Sequence, residues 1–169
     1  QGLIGSVSVT GGEPTVHTDL PEFIRGIKAL GFLMKLDTNG TNPEMLSMLL
    51  RERLIDYVAM DIKAPLSRYQ QNVGRPVDTE AIQESRRLIM KSKISNEFRT
   101  TVVRTMLSFE DFREIGTLIA GARRYALQKF VPTKILNPQF IKKTSFSDEE
   151  FKELQSLMGA YVQECIVRS

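Results

Sequence analysis

Hydrophobic and polar residues alternate with two different periods along this 169-residue chain. Short runs rich in Val, Ile, Leu, Thr and Phe are typical of strands, and apolar residues spaced three and four apart are typical of helices. The strands are predicted at Ser6–Thr10, Phe32–Asp37, Asp56–Asp61, Glu97–Arg104 and Tyr125–Val131. The helices are predicted at Asp19–Leu30, Pro43–Arg53, Asp78–Lys91, from Ser108 to Gly121, and from Ser147 to Val167.

Capping residues mark the ends of these helices, since Ser, Asp or Asn favours a helix start and glycine a helix end. The predicted caps are Asp19 with Glu22, Asn42 before Pro43, Ser108 with Asp111, Ser147 with Glu150, and Gly31 at a C-terminus. A turn is predicted at Leu66–Asn72, and a loop at Pro132 and Pro138. Five βα units with short connections indicate parallel strands with right-handed crossovers. We therefore predict one α/β domain, either a doubly wound sheet or a full or partial barrel.

Composition narrows the class of protein. Hydrophobic residues are 41% and charged residues 25% of the chain, as in ordinary globular domains. No apolar run has the length of a membrane span and no signal-peptide pattern is seen, so we expect no membrane association. The net charge of +3 is a weak basic bias, and we expect no nucleic-acid binding. Cys165 is the one cysteine, so an intrachain disulfide or iron–sulfur site cannot form, and a cytoplasmic location is expected.

Polar clusters stand at the carboxyl ends of the predicted strands. The first strand runs into Thr10–Pro14, which reads TGGEP, and the second into a DTNG sequence that begins at Asp37. The third ends at Asp61 and Lys63, and the fourth contains Arg99. Ligands bind at this edge in βα folds. Two glycines let the backbone approach a ligand, and the mixed charges would hold an amine, a carboxylate and ribose hydroxyls together.

Each of these motifs also has a purely structural interpretation. TGGEP occurs in ordinary strand-to-helix turns, and DTNG is a good turn sequence. Asp61 and Lys63 share one face of a strand and could form an ion pair, and Arg99 could pair with a surface acid. The repetition of polar clusters at the same end of successive strands favours a shared pocket. His17 is interpreted as a turn residue with no catalytic role.

The ordered motifs GGEP, LDTNG, MDIK, EFRTTV and LQxFxP resemble those of the radical S-adenosylmethionine (SAM) enzymes. Within that superfamily they most resemble the activating enzymes of glycyl-radical enzymes, of the anaerobic ribonucleoside-triphosphate reductase type. The resemblance spans Ser6 to Pro132. It implies a partial (β/α)6 barrel with SAM across its open top. Five parallel βα units would be present here, and the first strand would be missing.

The resemblance also implies roles for individual residues. The loop from Thr10 to Glu13 would hold the methionine amino group of SAM, and Arg99 would approach SAM from the fourth strand. Asp37, Thr38, Asp61 and Lys63 would line the carboxylate and ribose region, and the first three could hold a monovalent cation. The implied cofactor-binding residues are Thr10, Gly11, Gly12, Glu13, Pro14, Asp37, Thr38, Asn39, Asp61, Lys63 and Arg99, with Gln128 as a further candidate.

One element of the family pattern is absent. Radical SAM proteins hold a 4Fe-4S cluster with the three cysteines of a CxxxCxxC motif upstream of GGEP, and this chain has one cysteine. We interpret residues 1–169 as a single, N-terminally truncated radical SAM core domain. It would have no catalytic residue of its own, would not bind the cluster and would be inactive alone. A protein that has lost the cluster is the second interpretation.

The resemblance implies an oxidoreductase that cleaves SAM reductively and generates a glycyl radical on a partner such as anaerobic ribonucleotide reductase. A flavodoxin- or ferredoxin-like protein would be the reductant. Two alternatives stay open. One is a non-catalytic SAM-binding or partner-docking domain. The other is an aldolase-type barrel with Lys63 as a Schiff-base nucleophile, which Asp61 disfavours because a nearby carboxylate favours the charged amine.

Overall fold

The structure, a computed structural model, describes residues 5–131 and 144–168. Its contacts divide the chain into two compact units. The first unit comprises Gln1–Asp61 with Asp78–Asn96, and the second comprises Ile62–Val77 with Glu97–Ser169. The predicted loop at Pro132 and Pro138 lies outside the described residues. That the chain is a single domain stays a prediction.

The first unit is built on three parallel strands, β1 (Ser6–Val9), β2 (Leu33–Thr38) and β3 (Tyr57–Asp61). Val9 pairs with Leu36, and Thr38 pairs with Met60, so the three carboxyl ends meet at one edge of the sheet. Two helices connect the strands and a third packs on the second of them. They are α1 (Leu20–Ala29), α2 (Pro43–Arg51) and α4 (Thr79–Lys91).

Alternation along β2 separates a buried face from a polar face. Met34, Leu36 and Thr38 are buried on one face, as expected where a sheet packs against helices. Lys35 and Asp37 are half-buried on the other face. The strand therefore carries charge at its carboxyl end without placing it in the helix-packed core.

The second unit contains the parallel strands β4 (Ser95–Val102), β5 (Arg124–Lys129) and β6 (Glu164–Arg168). Of β4, the residues from Glu97 onward belong to this unit. Two helices accompany them, α5 (Phe109–Leu118) and α6 (Asp148–Gly159). The segment after β3 forms a 3₁₀ turn at Leu66–Arg68 and the short helix α3 (Tyr69–Val73), where the sequence predicts one turn. The predicted α/β class with parallel strands is confirmed.

The strand β6 corrects the sequence-based prediction of five strands. The last helix does not reach Val167, because it ends at Gly159 and the chain re-enters as β6. Tyr125 pairs with Cys165 and Leu127 with Val167, so the apolar run finds backbone partners on β5. The apolar run near the C-terminus fits both the helical and the strand period, and its pairing with β5 decides in favour of a strand.

Most of the predicted caps are confirmed. The Asn42 side chain accepts a hydrogen bond from Met45 N–H at 3.1 Å, and capping boxes form at Ser108 and Ser147. Gly31 follows α1 with a φ of 88°. The box predicted at Asp19 is wrong, because Asp19 has helical backbone angles and its side chain makes no capping hydrogen bond. In the part of the chain that the structure describes, no helix is long and apolar enough to cross a membrane.

Candidate SAM-binding site

The loop after β1 presents open backbone. Gly11 and Gly12 are exposed and have φ values of 94° and 29°, a region in which residues with a Cβ are strained. A Cβ built at either position would contact nothing, so the glycines are needed for backbone conformation and not for packing. The N–H and C=O groups of this stretch are therefore available to a ligand.

The carboxylate of Glu13 fastens this loop to the loop after β2. Its Oε1 accepts hydrogen bonds from the Thr15 N–H at 3.2 Å and the Thr15 hydroxyl at 2.6 Å. The Thr38 hydroxyl donates to the same oxygen at 2.7 Å, and the Asn39 N–H donates to Oε2 at 2.6 Å. Three of these bonds converge on Oε1 and one reaches Oε2, so Oε2 retains a lone-pair position that these bonds do not use. Glu13 therefore connects the two loops.

Further hydrogen bonds complete the connection between the two loops. Asn42 caps α2 with its Oδ1 and donates from Nδ2 to the Thr15 carbonyl at 2.6 Å. The Asn39 side chain closes a local turn by accepting from the N–H and hydroxyl of Thr41. Sequence reasoning missed the role of Thr15, and it assigned Asn42 only a capping role. The local signal for the role of Thr15 was its position two residues after Glu13, where a threonine hydroxyl can bond a nearby side chain.

The glycine of DTNG is fixed by close packing. Gly40 has a φ of 77°, and a Cβ there would overlap the Met60 side chain and contact Ser85. The Ser85 hydroxyl donates to the Gly40 carbonyl at 2.8 Å, which ties the loop to α4. The loop is therefore fixed by packing against Met60 of β3, by the hydrogen bond from Ser85 of α4 and by the hydrogen bond of Asn39 to Glu13.

Two of the predicted acids lie on the same face of the sheet. Asp37 aligns with Ala59 across the β2–β3 pair, so Asp61 follows two residues later on that face. Lys35 Nζ lies 2.9 Å from Asp37 Oδ1, and the Asp37 side chain is 15% exposed. The Thr38 side chain lies on the opposite face, and its hydroxyl donates to Glu13, so a cation site formed by Asp37, Thr38 and Asp61 stays a prediction.

A cleft of about 340 Å³ opens beside the loop Thr10–Pro14, the glycine loop. The loop from Thr10 to Pro14 lines one side, and the start of α1 lines the other with Asp19 and Phe23. His17 also lines it and is exposed. Clefts of this size are typical of small-ligand sites.

Lys63 and Arg99 belong to the second unit, where the backbone before Lys63 is held by several hydrogen bonds. Ile62 N–H donates to the Arg99 carbonyl at 2.8 Å, and the Thr100 hydroxyl donates to the Ile62 carbonyl at 2.6 Å. Lys63 N–H donates to the Tyr69 hydroxyl at 3.3 Å. The side chain of Lys63 is exposed. Gln128 lies half-buried on β5 in the same unit.

Cluster ligands are not present among these residues. A 4Fe-4S cluster is held by cysteine thiolates, and Cys165 is the one cysteine of the sequence. It lies on β6, and burial raises the pKa of its thiol to about 12, which disfavours the thiolate form needed for iron binding. Within residues 5–131 and 144–168 no group of three His, Cys, Asp or Glu side chains could hold a metal ion. This chain alone therefore does not fit the cluster.

The model of the radical SAM superfamily matches residues 1–120 of the chain. The chain belongs to the radical SAM superfamily. The protein of which these residues are part is an enzyme of the radical SAM type, and the resemblance inferred from the motifs is confirmed.

Two curated relatives cover almost the whole chain. A Methanocaldococcus jannaschii protein, named as a candidate glycyl-radical enzyme activating enzyme, is 32% identical over 97% of this chain and 70% of its own length. A 7-carboxy-7-deazaguanine synthase from Thermococcus kodakarensis is 28% identical over 94% of this chain and 58% of its own length. The chain thus spans 70% of the length of the first relative and 58% of the length of the second.

A solved structure shares the fold. A domain of the pyruvate-formate lyase-activating enzyme from Bacteroides vulgatus has a TM-score of 0.78 with 15% identity, covering 98% of this chain and 99% of its own. At this identity the likeness supports the radical SAM fold and says nothing about the substrate.

Proposed function

We propose that the glycine loop after β1, together with the polar face of β2 and β3, binds SAM. The observation that carries this proposal is the exposed Gly11–Gly12 backbone, next to a Glu13 carboxylate that is hydrogen-bonded to the loop after β2. The carbonyl groups of Thr10 and Gly11 would accept hydrogen bonds from the methionine ammonium. The charge of Glu13 attracts that ammonium through space.

The remaining residues would bind the rest of SAM. Asp37 and Asp61 lie on the face toward which the ribose hydroxyls would project, and carboxylates are strong acceptors for hydroxyl groups. For Lys63 and Arg99, which belong to the second unit, a role in binding the methionine carboxylate stays a prediction from the resemblance. Asn39 would contribute by keeping its loop in place, since its N–H is bonded to Glu13. A monovalent cation at Asp37 and Asp61 would partly neutralise the two acids.

The activity of the whole protein is proposed to be glycyl-radical generation, of the anaerobic ribonucleotide reductase type, with a flavodoxin- or ferredoxin-like reductant in the cytoplasm. The relative that is 32% identical and carries the activating-enzyme name supports this substrate class. The residues described here would bind SAM, orient it and limit water access. The cluster ligands are not among them, so we expect no stoichiometric iron or sulfide on the isolated chain after anaerobic reconstitution.

The substrate class is tested in a form of the protein that also carries a CxxxCxxC segment. Such a protein is mixed with reductant, SAM and the anaerobic reductase, and the reductase is examined by electron paramagnetic resonance. We expect a glycyl radical whose hyperfine splitting disappears when the glycine α-hydrogens are replaced by deuterium. Cleavage of SAM to methionine and 5′-deoxyadenosine without that radical would indicate another radical SAM substrate.

A further inference from the structure

A second cleft lies at the other end of helices α2 and α4. The nine-residue helix α2 begins at the loop bonded to Thr15 and ends at this cleft, roughly 14 Å away. The cleft has a volume of about 580 Å³. Its floor contains the half-buried aliphatic side chains of Leu50, Leu88 and Ile94. Its rim contains the exposed cations Arg51, Arg53, Lys91 and Lys93.

Two acids lie near these cations in sequence, and one of them, Asp56, also lines the cleft, but both are paired with other groups. Glu52 forms an ion pair with Arg25. Asp56 accepts from Lys28 Nζ at 2.9 Å through both oxygens and from Met34 N–H at 2.7 Å. Among the described residues, no carboxylate lies within ion-pair distance of any of the four rim cations. The cleft therefore carries a net positive charge that no described side chain neutralises.

The backbone at Arg53 is strained in a way that a glycine would relieve. Arg53 has a φ of 55°, the one positive φ among the described non-glycine residues. Its N–H donates to Leu50 and that of Leu54 to Leu49, the C-terminal motif in which this position favours glycine. Cations inside the last helical turn, such as Arg51 and Lys91, also stabilise the helix dipole. Arg53 and Lys93 lie beyond the helix ends, so an interaction with the helix dipole does not explain why these two positions carry cations. An observed strain of this kind points to a functional requirement.

We propose that this cleft docks an acidic segment of a partner protein. Carboxylates of the segment would pair with the rim cations, and an aliphatic side chain would cover Leu50, Leu88 and Ile94. The apolar floor favours a polypeptide over a free inorganic anion, which could not use it. The site is separate from the glycine loop, so a partner bound here does not block SAM.

The test uses the 169-residue chain and a fluorescein-labelled peptide that alternates glutamate and leucine, with fluorescence anisotropy as the readout. We compare Arg53→Gln/Lys93→Gln with Arg75→Gln/Arg123→Gln, which removes two exposed charges elsewhere. The cleft variant should bind at least about fivefold more weakly, and the control should match the wild type. Equal weakening by both variants would mean non-specific attraction and overturn the proposal. SAM affinity should be unchanged in both variants, which separates this result from the proposed function.

Two further measurements identify the occupant. The first measurement replaces the peptide leucines by serine, which should weaken binding severalfold. The second adds citrate as a competitor. Equal binding of the serine peptide, or displacement of the peptide by citrate at the peptide's own affinity, would indicate a small-anion site and refute protein docking. Arg53→Gly should raise Tm by about 2–4 °C while weakening peptide binding. A variant that is more stable and binds equally well would show that Arg53 has no part in docking.

Discussion

Glu13 and Asp111 are both carboxylates that collect hydrogen bonds beside a helical turn, yet their surroundings differ. Asp111 is 3% exposed and accepts from the Ser108 N–H and hydroxyl at 2.7 Å and from Arg68 at 2.8 Å. Glu13 is half-buried and joins the loop after β2 to the loop after β1, whose Gly11 and Gly12 are exposed. Asp111 closes a packed junction within the second unit, whereas Glu13 lies beside exposed backbone. The difference between the two is the accessible backbone, and not the number of hydrogen bonds.

The largest effect is expected at Asp111. Asp111→Ala should lower the free energy of unfolding by about 1.5–2 kcal/mol, because it removes the buried carboxylate that accepts hydrogen bonds from Ser108 and Arg68. The Arg68 contribution is the smaller part, since its side chain is 42% exposed and screened by solvent. Urea unfolding measures this effect. Asp78→Ala, which removes an exposed N-cap, should cost about 1 kcal/mol and is the matched control.

A change at Glu13 should affect SAM more than stability. Glu13→Gln retains the acceptor for Thr15 and Thr38 but places an amide N–H against that of Asn39. We expect a loss of stability of about 1 kcal/mol and a loss of SAM affinity of roughly tenfold, because the negative charge is removed. Calorimetric titration at matched folded fraction measures the affinity. Unchanged affinity would show that Glu13 acts only as a structural connection.

The smallest effect is the pH dependence at Asp111. Burial alone would raise the pKa of Asp111, but the hydrogen bonds from Ser108 and the charge of Arg68 outweigh it and lower the pKa. A lowered folded-state pKa stabilises the protein above the unfolded value of about 3.9, and this stabilisation is lost as the pH falls through the folded value. The stability difference between wild type and Asp111→Asn should be constant at about pH 5–7 and shrink below about pH 4. A difference that persists at low pH would mean that the carboxylate charge is unimportant.

The sequence predicted what depends on local patterns. The strand ends, the caps at Asn42, Ser108 and Ser147, and the αL glycine Gly31 all follow from residues close together in the chain. It did not predict β6, because its apolar run fits both periods and only pairing with β5 decides. Nor could it predict that Glu13 bonds Thr38, or that Asp111 bonds Arg68, 43 positions away. Such contacts depend on tertiary packing, which no local pattern encodes.

SAM is proposed to bind at the edge formed by the glycine loop and Asp61. This proposal is tested most directly by calorimetric titration of SAM into the 169-residue chain and its Asp61→Ala and Asp78→Ala variants, at matched folded fraction. Losing a hydrogen bond to a charged group costs about 1.5–3 kcal/mol, so Asp61→Ala should weaken SAM binding roughly 10- to 150-fold. Asp78→Ala should bind as the wild type does, because its cap lies outside the site. Equal affinities in all three proteins would contradict the account and leave Asp61 with a structural role alone.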